Sequence, residues 1–129
     1  MTTPFESADE GIKALMSDYF DAMHTQDMEK FDNVFHSNCV LYGVVDGQLN
    51  IRPYDVYRDA VVARESPQSL GNARRDSILE FDQISPEIAW VKPQLEMFGG
   101  VMQDYLNLVK LDGKWWIMAK MWARVGDSA

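Results

Sequence analysis

The hydrophobic pattern along the chain changes period once. In the first part, apolar residues recur every three or four positions. Ile12, Leu15, Met16, Tyr19, Phe20 and Met23 form one stripe of a helix ending near His24, with Lys13, Ser17, Asp18 and Asp21 off the stripe. Ser7 followed by Glu10 has the spacing of a capping box and predicts where that helix begins. Asp27 is placed to cap a second, short helix carrying Met28, Phe31, Val34 and Phe35. Residues 39–45 (CVLYGVV) read as a strand, Asp46-Gly47 as a tight turn and residues 48–51 as the returning partner. Pro53 suits the first position of a third helix reaching about Arg64, with Val56, Tyr57, Ala60 and Val61 as its apolar side. Residues 65–72 (ESPQSLGN) carry the turn formers of a rim loop.

From residue 75 the period is two. Residues 75–84 and 88–98 read as strands joined by a turn at Ser85-Pro86-Glu87, and Pro93 places its strand at an edge or a bulge. Gly99-Gly100 leads into residues 101–124, where two apolar runs flank Asp112-Gly113, a pair that tolerates the positive φ of a two-residue hairpin turn. With the turn centred there, Leu111 faces Lys114, Leu108 faces Ile117 and Asp104 faces Met121. Strict alternation puts Met102, Asp104, Leu106, Leu108, Trp115, Ile117, Ala119 and Met121 on one face. Gln103, Tyr105, Asn107, Val109, Trp116, Met118, Lys120 and Trp122 take the other. The first face is apolar except for Asp104.

Helices first and strands after predict an α+β domain, a curved antiparallel sheet wrapped around N-terminal helices and enclosing a cone-shaped cavity. The sheet's outer face would then carry Tyr105, Trp116, Met118 and Trp122, apolar enough to predict a homodimer that covers it.

Composition narrows the function. The 129 residues form one domain, 1–129, with its core at about 7–124. A net charge of −8, with Arg74-Arg75 as the only adjacent basic pair, argues against a nucleic-acid groove. The single cysteine, Cys39, excludes an internal disulfide and reads as a small core residue. Two separated histidines, with no zinc-binding spacing and no glycine-rich phosphate loop, predict neither metal nor nucleotide cofactor. No basic leader and no window of about 20 apolar residues is present, so the expectation is a cytoplasmic protein without a membrane partner. Eight Met and four Trp suit an adaptable apolar cavity for a small apolar or aromatic ligand.

Asp104 is the strongest chemical signal. A carboxylate among Leu106, Leu108 and Ile117 loses hydration, which raises its pKa and lets it donate a hydrogen bond or accept a proton near neutrality. The same placement also serves a structural hydrogen bond to Tyr19. His36, before the first strand, reads as a helix C-cap or as a base near the cone mouth. Tyr42 lies beside Gly43 and could add a polar group there.

The order of motifs resembles the nuclear transport factor 2-like (cystatin-like, SnoaL-like) superfamily, and within it the putative lumazine-binding group. The resemblance rests on Tyr19, Met23 and Asp27, on Phe35-His36 and on residues 43–47 (GVVDG). Asp104-Tyr105-Leu106, residues 111–117 (LDGKWWI) and Lys120 complete it. It implies a cone-shaped pocket and, by likeness to the ketosteroid isomerases of the superfamily, an oxyanion-holding pair at Tyr19 and Asp104. The isomerase's proton-moving carboxylate would fall at about Gly43, where there is no side chain. These residues fit a cofactor-free isomerase, dehydratase or cyclase acting on a cyclic or aromatic carbonyl compound. They fit equally a non-catalytic binder or a dimeric scaffold, so catalysis is left open, with Asp104, Tyr19, His36 and Tyr42 as candidate catalytic residues.

Overall fold

The computed structural model describes residues 4–129; residues 1–3 lie outside the described residues. The first helix, α1 (Glu10–Thr25), starts at Asp9, whose carboxylate accepts the Ile12 N–H at 2.9 Å. Ser7 is therefore not the cap. Its Oγ donates to the Pro4 carbonyl at 2.7 Å within a single 3₁₀ turn, Phe5–Ser7. Asp9 also accepts the indole N–H of Trp115 at 3.1 Å, tying the helix start to the last strand. Asp27 caps α2 (Met28–Val34), accepting the N–H groups of Glu29 and Lys30. Strand β1 (Phe35–Val45) begins directly after that helix, earlier than the sequence pattern suggests.

Strand β2 (Gln48–Pro53) runs into α3 (Tyr54–Ala63). Pro53 is the N-cap rather than the first helical residue, and the buried side of α3 is Tyr54, Tyr57 and Val61. Val56 and Ala60, expected inside, face solvent. Four long strands follow: β3 (Asp76–Ser85), β4 (Ile88–Met97), β5 (Gly100–Leu111) and β6 (Lys114–Asp127).

The six strands form one curved, unclosed sheet in the order β2-β1-β6-β5-β4-β3. Every neighbouring pair is antiparallel except β1 and β6, which run parallel. The sheet is thus mixed, not wholly antiparallel. No hairpin joins β1 to β6, so no turn imposes opposite directions on them. The fold is α+β, and its helices cover the inner face around a core of Tyr19, Phe31, Phe35, Tyr54 and Tyr57. Phe35 stacks on Phe31 and Tyr54 with ring centres 5.8 and 5.4 Å apart.

The sheet's register shifts at several points, and two of the bulges bear on the site. Strand β4 is interior, and the proline in it is accommodated by its neighbour. Ile78 pairs with Pro93 and Glu80 with Lys92, leaving Leu79 as an extra residue in β3 where Pro93 has no N–H to give. The other lies in the final hairpin, between Ile117 and Ala119. Leu111 faces Lys114 and Leu108 faces Ile117 as expected, but Asn107 then faces Ala119 and Asp104 faces Trp122. Met118 is the additional residue. It reverses the alternation of β6, so Lys120 and Trp122 turn inward while Met121, expected inside, is 54% exposed.

Candidate functional site

Three side chains distant in sequence meet on the inner face. Tyr19 comes from the stripe of α1, Asp104 from β5 and Lys120 from β6 just past the bulge. The Tyr19 hydroxyl donates to Asp104 Oδ2 at 2.5 Å, and Lys120 Nζ donates to the Tyr19 oxygen at 2.9 Å. Lys120 Nζ is 3.9 Å from Asp104 Oδ2. All three are buried: Tyr19 is 0% exposed, and Asp104 and Lys120 are 4% exposed. The ammonium also lies over the rings of Tyr19 and Tyr57, 5.3 and 5.6 Å from their centres, which favours a cation at this depth.

Burial dominates the electrostatics. It lifts the Asp104 carboxyl above its ordinary pKa, although Lys120 and the Tyr19 hydrogen bond both pull it down. The Tyr19 phenol is raised by burial and then by the negative charge of Asp104. Cys39, buried nearby, is pushed up to about 12 by burial, with Lys120 acting in the opposite sense. Its thiol is a core group, protonated at neutral pH.

Asp104 and Lys120 line a cavity of about 240 Å³ whose walls include Met23, Leu41, Leu95, Met97, Met102 and Trp122. This is just under the range of roughly 300–1,000 Å³ usual for ligand sites. It is larger than the ~150 Å³ cavity that accepts benzene in an engineered core, so one substituted ring fits. Tyr19 lies behind this wall. Its single proton is committed to Asp104 and its oxygen accepts from Lys120, so it positions those two groups. Lys120 retains N–H groups beyond the one given to Tyr19, and Asp104 retains its second oxygen.

The other sequence candidates lie elsewhere. His36 is the second residue of β1, its Nδ1 accepting the Asn38 N–H at 3.0 Å and its ring edge-on to Trp116 at 5.4 Å on the outer face. Tyr42 stands between Ile51 and Met121, both exposed, on the same outer side. Neither lines the cavity with Asp104. Trp122, expected on the outer face, is a cavity wall, and Arg52 lies 5.7 Å from its ring centre. The indole also explains Gly43: a Cβ there would sit 2.5 Å from Trp122, so the space a base would need is filled by this ring. Lys120 was missed because strict alternation from the turn places it outside. Among the described residues, no group of His, Cys, Asp or Glu is arranged to hold a metal ion.

Comparison with known proteins follows the same outline. The model of the family described as "Putative lumazine-binding" matches residues 7–123. The chain is 29% identical over 105 residues to an aldolase, FrzH, of a Cladobotryum species, covering 80% of each protein. Among solved structures, an NTF2-like protein of unknown function from Shewanella baltica superposes with a TM-score of 0.81 at 21% identity, covering 98% of this chain and 100% of that one. An NTF-2 like protein from Silicibacter pomeroyi gives a TM-score of 0.78 at 18% identity over 89% and 93% of the two chains. A cystatin-like fold protein from Burkholderia xenovorans gives 0.69 at 16% identity over 92% of each. At these identities the structures establish the fold, and no more.

Proposed function

This chain belongs to the Putative lumazine-binding family, and from that premise we propose that its cavity binds a small cyclic or aromatic carbonyl compound and enolises it without a cofactor. One observation carries the reading: a buried carboxyl and a buried ammonium face the same one-ring cavity and are held in place by one phenol. In this reading Lys120 donates to the carbonyl oxygen and Asp104 accepts the α-proton on its free oxygen. The C–H electron pair becomes the enolate C=C bond, and the oxygen's developing charge is met by the ammonium. Returning the proton to a different carbon makes an isomerase. Expelling a β-hydroxyl makes a dehydratase, and attack of the enolate carbon on a second carbonyl makes a cyclase. The last is the bond-forming step of an aldol reaction, the chemistry named for the Cladobotryum relative. Tyr19 is a positioning residue, and His36 and Tyr42 take no part.

The test is deuterium incorporation into cyclohexanone and 3-methylcyclohex-2-enone in D₂O, followed by proton NMR. Exchange above the buffer rate, lost in Asp104→Asn and reduced in Lys120→Met, is the expected result. The second reading, a carrier without turnover, rests on the family's description and takes lumazine as its probe. Saturable binding of that bicyclic dione, with no exchange into either ketone, selects it.

The protein of this reading is a homodimer joined through the outer sheet face. Tyr105 is 47% exposed and Met121 54%, and Trp90 stacks on Tyr105 at 5.5 Å, which supports an apolar contact there. Trp116 and Met118 belong to this face, whereas Trp122 does not.

A further inference from the structure

The charge around the cavity runs against the charge of the chain. In a protein of net charge −8, the lining includes Arg52, Arg64, Arg124 and Lys120, with Asp104 as its one carboxylate. Lys120 is matched by Asp104, and Arg124 by Asp127 at 2.7 Å. Arg52 and Arg64 have no acidic partner among the described residues. Arg52 spends its Nε on the Asn50 amide oxygen at 3.0 Å. Arg64 spends its Nε on the Gln26 amide oxygen at 2.7 Å, and its guanidinium lies 4.9 Å from the ring centre of Phe98.

One atom of Arg64 stands apart. Its Nη2 is fully buried and has no hydrogen-bond partner, the only buried side-chain nitrogen or oxygen of which that is true among the described residues. A charged donor taken out of water and given nothing is costly, and because this atom is covered, an acceptor reaches it only when the neighbouring side chains shift. Its surroundings hold it there. The Gln26 amide that binds Arg64 Nε also donates to the Val61 and Arg64 carbonyls, at 3.1 and 2.9 Å. Phe98 sits under the guanidinium in the left-handed region, φ 53°, its N–H given to the Asn72 side chain at 2.8 Å. The guanidinium is thus held at Nε by Gln26 and on one face by Phe98, with no acidic partner among the described residues.

We infer that the ligand carries a carboxylate, which Arg64 and Arg52 bind at the more exposed end of the cavity while the carbonyl lies against Lys120 and Asp104. The planar fork of a guanidinium matches a carboxylate, and a lysine would not. A cavity of about 240 Å³ has room for a substituted ring, so the class is a cyclic oxo acid. This rests on the reading of the cavity as the ligand site, but not on turnover there.

The test is calorimetric titration of the whole protein with 4-oxocyclohexane-1-carboxylate and with its methyl ester, both also followed for deuterium exchange at the α-carbons. The acid is expected to bind at least ten-fold more tightly than the ester. Arg64→Met should erase that preference and Arg52→Gln should reduce it, with the acid losing at least ten-fold more affinity than the ester in the first. An unchanged melting temperature in each variant separates a lost contact from a lost fold. An acid that binds no more tightly than its ester, or a preference that survives both substitutions, overturns the inference. Exchange in the ketones with no preference for the acid overturns this inference and leaves the enolisation reading standing. Preference without exchange upholds the carboxylate site and removes the enolisation.

Discussion

Removing Lys120 should expose how the buried cluster is balanced. Its Nζ stands 3.9 Å from Asp104 Oδ2, where two unit charges attract by about 4 kcal/mol at an effective dielectric of 20. Both side chains are almost wholly buried, so Lys120→Met leaves Asp104 to face burial with only the Tyr19 hydroxyl to help it. Breaking one side of such a pair costs about 3–5 kcal/mol, and that is the loss expected at neutral pH. The pH dependence supplies the sharper check. Asp104 titrates above its ordinary value in the folded protein, so its contribution is complete below the unfolded pKa and is lost as pH rises through the folded one. Lys120 is the strongest influence holding that folded value down. Without it the value climbs further, and the variant loses more stability over a wider span of rising pH.

The difference between wild type and variant should therefore be small near pH 4, grow as pH rises, and level off once Asp104 ionises in both proteins. At acid pH it shrinks for a second reason: the wild type then holds a buried ammonium against a neutral acid. Urea unfolding at a series of pH values between about 4 and 8 measures this. The triple variant Lys120→Met/Asp104→Leu/Tyr19→Phe removes both charges and the hydroxyl that they satisfy, and should return to within ~1 kcal/mol of wild type at neutral pH. A deficit that does not change with pH, or a triple variant as weak as the single one, would show that Lys120 matters through packing alone.

Asp9→Ala removes both the α1 cap and the acceptor for Trp115, and should cost about 1–2 kcal/mol by urea unfolding; no measurable loss would mean that the cap is dispensable. Gly43→Asp would not restore an isomerase-type base. The new Cβ meets Trp122 at 2.5 Å, so a loss of about 1–3 kcal/mol is expected, partly recovered when Trp122→Ala is added. An unchanged melting temperature for Gly43→Asp would contradict that packing. On the outer face, Tyr105→Glu or Met121→Glu should turn dimers into monomers by light scattering, and a wild-type protein that is already monomeric refutes the interface.

Much of the fold was legible because it rests on periodicity and turn chemistry. The α1 stripe, the Asp27 cap and the Asp46-Gly47 and Asp112-Gly113 turns are local features, and each lies within a few residues of where the pattern places it, although α1 is capped by Asp9 and not Ser7. The parallel pairing of β1 with β6 was not legible, since strand direction between distant segments is set by packing. Asp104 could be read as an acid in an apolar row, because β5 alternates regularly around it. Lys120 could not. Counting by twos from the hairpin turn puts it outside, and nothing in WWIMAKMW announces that Met118 is an inserted residue. Arg64 was equally hidden, because its partners and its unpartnered nitrogen depend on how α3 approaches α1.

The bulge at Met118 links the two ways in which this site departs from the steroid-isomerase pattern. By reversing β6 it carries Trp122 across Gly43, closing the place where that enzyme keeps its base, and in the same step brings Lys120 onto Tyr19. The phenol, free to hold an oxyanion in the isomerase pattern, here has its proton on Asp104 and its oxygen under the ammonium. In the proposed reaction its task passes to Lys120. Asp104, hydrogen-bonded as an acceptor rather than acting as a donor, is left as the one carboxyl in the cavity wall that can receive a proton. A single inserted residue therefore exchanges a neutral donor pair with a separate base for an ammonium donor with an adjacent carboxylate acceptor. Those are the two groups that enolising a carbonyl requires.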